Sequence, residues 1–172
     1  MIDPVFVDTN VFIYARDPAD PAKQARAREW LTSLWQENLG RTSVQVLSEF
    51  YVNVTRKLAS PVRPADAWRE VESLLAWRPQ AIDKALLVRT REVEERWRLS
   101  WRDSMIVAAA QLQDCALLLT EDLQDRAVFA GVTVRNPFRD GVAELPEDYD
   151  MRVAPVRHRP RGRPKKRRVA AG

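Results

Sequence analysis

Val5-Phe-Val-Asp8 and Ala116-Leu-Leu-Leu-Thr-Glu-Asp122 decide the fold. Each is a short, unbroken apolar run that stops at an acid. Such runs predict strands buried on both faces, with Asp8 and Asp122 just past their C-terminal ends. The chain between them reads as helix. Ala25, Trp30, Leu31, Leu34 and Trp35 recur at helical spacing within 22–37, after a loop at Asp17-Pro-Ala-Asp-Pro21 and before a stop at Gly40. Residues 41–43 suggest a short strand. Ser43 suits the cap of a helix over 44–58, where Val46, Leu47, Phe50, Val54 and Leu58 form one stripe. Further helices are predicted over 65–76, 84–97 and 102–113, with 79–82 open between loop and strand. Residues 132–134 suggest a last strand. Strands alternating with helices predict an α/β fold, a central parallel sheet flanked by helices.

In open α/β sheets, ligands bind beyond the carboxyl ends of the strands. Asp8 and Asp122 fall at that edge. Asp103 opens an unusually apolar helix, and Glu49 lies among Leu47, Phe50 and Val52. Each acid has a plain alternative. Asp8 equally ends a strand, and Asp122 equally belongs to a turn. Asp103 suits a helix N-terminus capped by Ser100, and Glu49 suits a solvent-facing side. Taken together, four converging carboxylates would repel one another unless a cation joined them. A hard divalent ion such as Mg²⁺ or Mn²⁺ takes oxygen ligands and keeps bound water.

Composition narrows the chemistry. The chain has 172 residues, enough for one domain and a short appendage. Cys115 is its one cysteine and His158 its one histidine, so a Cys/His zinc site is excluded and any metal is held by oxygen. No leader-like segment or apolar span stands out, and a lone cysteine fits a reducing cytoplasm; the expectation is a cytoplasmic protein without a membrane span. The charge is divided. Residues 152–172 hold nine Lys or Arg and no acid, leaving 28 − 9 = 19 basic against 24 acidic residues in 1–151. An acidic body of residues 1–140, a linker at 141–151 and a disordered basic tail at 152–172 are expected.

Five stretches resemble the PIN-domain family, in particular the VapC-like toxins of type II toxin–antitoxin systems. They are Val-Asp-Thr-Asn-Val at 7–11, Ser-Val-Gln-Val-Leu-Ser-Glu-Phe at 43–50, Asp-Ser-Met-Ile-Val-Ala-Ala-Ala at 103–110, Leu-Leu-Thr-Glu-Asp-Leu-Gln-Asp at 118–125 and Gly-Val-Thr-Val-Arg-Asn-Pro-Phe at 131–138. The resemblance implies a doubly wound fold and a Mg²⁺- or Mn²⁺-dependent endoribonuclease. It implies Asp8, Glu49, Asp103 and Asp122 as catalytic metal ligands, with Asp125 a further candidate. Asn10 and Thr120 match polar positions that orient the site. A small antitoxin is the implied partner and RNA the implied substrate; homodimers are frequent in the family.

Arg161-Gly162-Arg163-Pro164-Lys165-Lys166 resembles an AT-hook, in which Gly allows close approach to a narrow minor groove and Arg enters it. A plain polycation that binds any nucleic acid fits the same residues equally well. The alternative function is therefore a DNA-binding or autoregulatory protein on a catalytically weak scaffold. A dinucleotide fold is disfavoured because Asp8-Thr-Asn, and no Gly-rich turn, follows the first strand.

Overall fold

The computed structural model describes residues 3–139. Val5, Phe6 and Val7 are all buried, as a strand covered on both faces requires, and form β1 (Val5–Val7). β2 (Gly40–Arg41) and β3 (Leu117–Leu119) pair parallel with its two edges. β5 (Val132–Arg135) pairs parallel with β3, and β4 (Val128–Phe129) pairs antiparallel with β5. The sheet order is β2-β1-β3-β5-β4, so the strand order reverses at β1. That reversal opens a crevice above the C-terminal ends of β1 and β3.

The central sheet is mostly parallel, as expected, and β4 adds an antiparallel edge strand that the sequence reading did not assign. Only Ala130 and Gly131 separate it from β5, at φ 48° and 94°. Two residues make a hairpin with left-handed central positions, whereas a parallel connection needs a crossover of a dozen or more.

Six helices flank the sheet: α1 (Thr9–Arg16), α2 (Pro21–Glu37), α3 (Val44–Arg56), α4 (Pro64–Leu74), α5 (Lys84–Trp97) and α6 (Trp101–Leu112). Residues 9–16, which were given no element on sequence, form α1. Asp8 starts it by accepting the Thr9 N–H at 2.6 Å. The run Val11-Phe12-Ile13-Tyr14 has strand-like composition, so the cap and the burial of Val11, Phe12 and Ala15 override it. Ser43 caps α3 as expected, taking the Val46 N–H at 3.2 Å. Residues 79–82 settle as loop with one parallel bridge, Ser43 to Gln80.

Gly40 has a different reason from the one expected. Asn38, at φ 57°, closes α2. Gly40 sits in β2 against the Trp77 indole, where an added Cβ would come within 2.4 Å of the ring. Trp77 in turn packs on Phe12 and Trp35.

Helix α6 explains its own composition. It contacts α5 on one side and β3 and β5 on another, and residues 104–110 are all buried. Ala108, Ala109 and Ala110 allow that double approach. The core is completed by Phe6, Phe12, Leu34, Phe50, Leu86 and Ile106, each fully buried and each worth roughly 1.5–3 kcal/mol. No helix among the described residues is long and apolar enough to cross a membrane. The linker, the basic tail with its AT-hook-like core, and His158 lie outside the described residues.

Candidate active site

Strand register places the first two site residues. Val7 of β1 lies opposite Leu119 of β3, so the next residues, Asp8 and Thr120, emerge side by side. The Asp8 N–H continues the ladder onto the Leu119 carbonyl at 3.0 Å. The Thr120 hydroxyl donates to Asp8 Oδ2 at 2.8 Å and accepts both the Asp122 N–H and the Asn10 side-chain amide at 3.1 Å. Asn10 Nδ2 also faces Asp122 Oδ2 at 3.2 Å and Asp8 Oδ2 at 3.5 Å. These acceptors fix the amide's orientation, because its carbonyl would be repelled by two carboxylates. The Asn10 Oδ1 atom is left buried without a hydrogen-bond partner.

Helices bring the other two acids. Glu49 comes from the second turn of α3; Thr9 Oγ1 donates to its Oε2 at 2.9 Å and Gln45 Nε2 to its Oε1 at 3.0 Å. Asp103 is in the first turn of α6. Ser100 Oγ accepts its N–H at 3.1 Å and donates to its Oδ2 at 2.7 Å, so Asp103 does serve its helix N-terminus. Its Oδ1 faces a guanidinium nitrogen of Arg102 at 3.4 Å.

The residue that joins all four is Arg102, which the sequence reading did not single out. Its Nη2 lies 2.8 Å from Glu49 Oε2 and 3.3 Å from Asp8 Oδ1. Its Nη1 lies 3.4 Å from Asp103 Oδ1 and 3.7 Å from Asp122 Oδ2. A signal existed. A cation in the first turn of a helix opposes the macrodipole and needs another reason to be there. Thr9, Gln45, Asn53 and Lys57 were likewise not singled out. A cleft of about 510 Å³ opens here, lined by Thr9, Asn10, Glu49, Asn53, Lys57, Arg102 and Asp122 among others.

Burial decides the electrostatics of Asp8. Its carboxyl is almost wholly enclosed, and loss of water pushes its pKa up; Arg102, Thr120 and the Thr9 N–H oppose that without cancelling it. Glu49 is less enclosed. Burial is again the largest single influence and pushes up, but bonds from Arg102, Gln45 and Thr9 together hold it below the ordinary glutamate value. The buried Cys115 thiol is pushed up to about 12 by burial, so it stays protonated and is no nucleophile.

Asp125 is engaged elsewhere. Its Oδ1 accepts the Asn136 N–H at 2.8 Å, and it shares no hydrogen bond or ion pair with the four acids. Glu121 turns away to Lys23, at 2.6 Å.

The sequence matches the PIN-domain family over residues 5–129. The chain belongs to the PIN-domain family. Solved structures share the PIN fold. One is a toxin–antitoxin complex from Klebsiella pneumoniae, 20% identical, with a TM-score of 0.56 over 77% of this chain and 97% of that one. Another is the Mycobacterium tuberculosis sarcin–ricin-loop-cleaving toxin VapC20, 20% identical, with a TM-score of 0.52 over 66% of this chain and 86% of that one. No curated relative matches the sequence.

The donor set of this PIN domain suits a hard divalent cation. It is oxygen only, it includes the unpartnered Asn10 carbonyl, and one guanidinium cannot neutralise four carboxylates. As placed around Arg102, no three acids among the described residues are grouped closely enough to share one ion.

Proposed function

We propose that this protein is a divalent-metal-dependent endoribonuclease, the toxin of a toxin–antitoxin pair. The observation that carries the reading is the convergence of Asp8, Glu49, Asp103 and Asp122 on one point, above the strand reversal of a PIN fold. Asp8, Glu49, Asp103 and Asp122 would hold Mg²⁺ or Mn²⁺, which when bound lowers the pKa of a coordinated water and neutralises phosphate charge. Thr120 and Asn10 orient the Asp8 and Asp122 carboxylates through their shared hydrogen bonds. Lys57, at the C-terminal end of α3, lines the cleft and offers a cation to a phosphodiester backbone. Enclosure keeps bulk water from Asp8, which strengthens its interaction with any cation in the site.

The fold shared with a toxin–antitoxin complex and with VapC20 supports RNA as the substrate and a small antitoxin as the partner. A homodimer is part of the same proposal, as is a cytoplasmic location. The test is cleavage of RNA by the purified chain with Mg²⁺ or Mn²⁺, abolished by chelator and by Asp8→Asn. Cleavage that survives both would overturn the reading.

The basic tail favours a second reading, DNA binding or autoregulation on a weak catalytic scaffold. A chain ending at residue 151 separates the two: the nuclease keeps its metal-dependent turnover, whereas the DNA-binding protein loses its activity.

A further inference from the structure

We infer that Arg102 is a displaceable counter-ion: its guanidinium occupies the place among Asp8, Glu49, Asp103 and Asp122 that a divalent cation must take, and metal binds by driving it out. The inference rests on the metal-site reading above and adds a residue that limits the site's metal affinity.

Three observations carry it. First, the guanidinium reaches all four carboxylates at once, 2.8 to 3.7 Å away, and no three of those acids are grouped to share an ion while it is there. A second cation cannot enter the same space without meeting strong repulsion. Second, α6 itself offers Arg102 only the Asp103 carboxylate, one of the same four acids. It lies in the first turn, where the helix dipole repels a cation, and beyond the four acids it reaches only the Thr9 hydroxyl, at 3.5 Å. A dication offered to those acids competes directly for its charged anchors. Third, there is a way out. The Arg102 side chain is 37% exposed and lines the open cleft, while the Asp8 side chain it covers is 2% exposed. The long stem can therefore carry the charge to solvent without moving the backbone.

The exchange has a direction. Without metal, Arg102 offsets the repulsion of the cluster and favours the folded chain. With metal, its contacts must break before the acids close around the ion. Arg102 thus weakens apparent metal affinity, because part of the binding free energy goes into releasing it.

The test titrates Mn²⁺ into the full, metal-free chain by calorimetry, comparing wild type with Arg102→Met, which keeps the stem and removes the charge. Arg102→Met is expected to bind Mn²⁺ ~10-fold or more tightly, the worth of at least one hydrogen bond to a charged group. Equal or weaker binding by the variant overturns the displacement. A wild type that binds no Mn²⁺ overturns the metal reading of the site itself, so the two failures are distinct. Should Arg102→Met fail to fold, the wild type still decides. Its Arg102 Nε–H resonance, assigned by its loss in Arg102→Lys, is held by Glu49 without metal. Saturating Mg²⁺ is expected to shift it and to abolish its protection from exchange. A resonance that stays put and stays protected overturns the inference.

Discussion

Asp8 and Thr120, 112 residues apart in sequence, share a 2.8 Å hydrogen bond because parallel register sets them side by side at the ends of β1 and β3. The Thr120 hydroxyl also satisfies the Asn10 amide and the Asp122 N–H. Thr120→Val keeps the shape and removes one partner from each of Asp8, the Asn10 amide and the Asp122 N–H. It is expected to cost about 1–3 kcal/mol in urea denaturation, with Thr120→Ser close to wild type. A Val variant as stable as wild type would show the network to be idle.

Asp8→Asn and Glu49→Gln should each lower RNA cleavage by at least ~100-fold, since even partners behind a metal ligand are worth 10–100-fold. Far-UV circular dichroism should be unchanged. Asn can still cap α1, so lost cleavage with an intact fold assigns the defect to chemistry.

The same two acids should respond to pH with opposite signs in the metal-free chain. The Asp8 pKa is raised, so its contribution to stability is fully present below the ordinary aspartate value and lost as pH rises through its folded value. Asp8→Asn should therefore raise the Tm at neutral pH, and the gain should fade on acidification. The Glu49 pKa is lowered, so its contribution is present above the ordinary glutamate value and lost as pH falls through its folded value. Glu49→Gln should lower the neutral-pH Tm, and that loss should fade in acid. Thermal melts from about pH 3 to pH 8 check both; melts that move in the same direction would contradict the assignment.

Gly40→Ala should destabilise by about 1–3 kcal/mol, because the new methyl meets the Trp77 ring and the ring is held by Phe12 and Trp35. Chemical denaturation reads the loss directly, and cleavage per folded molecule should be unaffected.

The tail prediction concerns salt. If six of the nine cations in 152–172 reach phosphates, the logarithmic salt slope on duplex should be about −5. Truncation after residue 151 should flatten it and raise KM while leaving kcat. Arg163→Ala should weaken A·T-rich duplex more than G·C-rich duplex if the AT-hook resemblance holds; equal losses would leave a plain polycation.

The features legible in sequence were those with a local chemical signature. The two apolar runs ending at Asp8 and Asp122, and the caps at Ser43 and Ser100, state their roles within a few residues. What stayed hidden depended on distant partners. Helix α1, strand-like in composition, is given no element until Asp8 caps it and the core buries one face. Gly40 reads as a helix stop until Trp77 is seen beside it. Arg102 has no assigned role until β1, α3 and β3 bring three of its acids from far along the chain. The hairpin β4 is two residues long, too short for any periodicity to register.

The indole stack behind Gly40 gives the molecule two separate optical reporters. Trp77 is enclosed, and its ring centroid lies 5.2 Å from that of Trp35, close enough for the two excited states to couple. Their shared signal in circular dichroism reports whether β2, α2 and the turn after α4 are packed together, on the side of β1 away from β3. Trp101 is 43% exposed and directly precedes Arg102. Its emission reports on the exposed start of α6, next to Arg102. Heating should extinguish the first signal, and an ion that evicts the guanidinium should perturb the second alone.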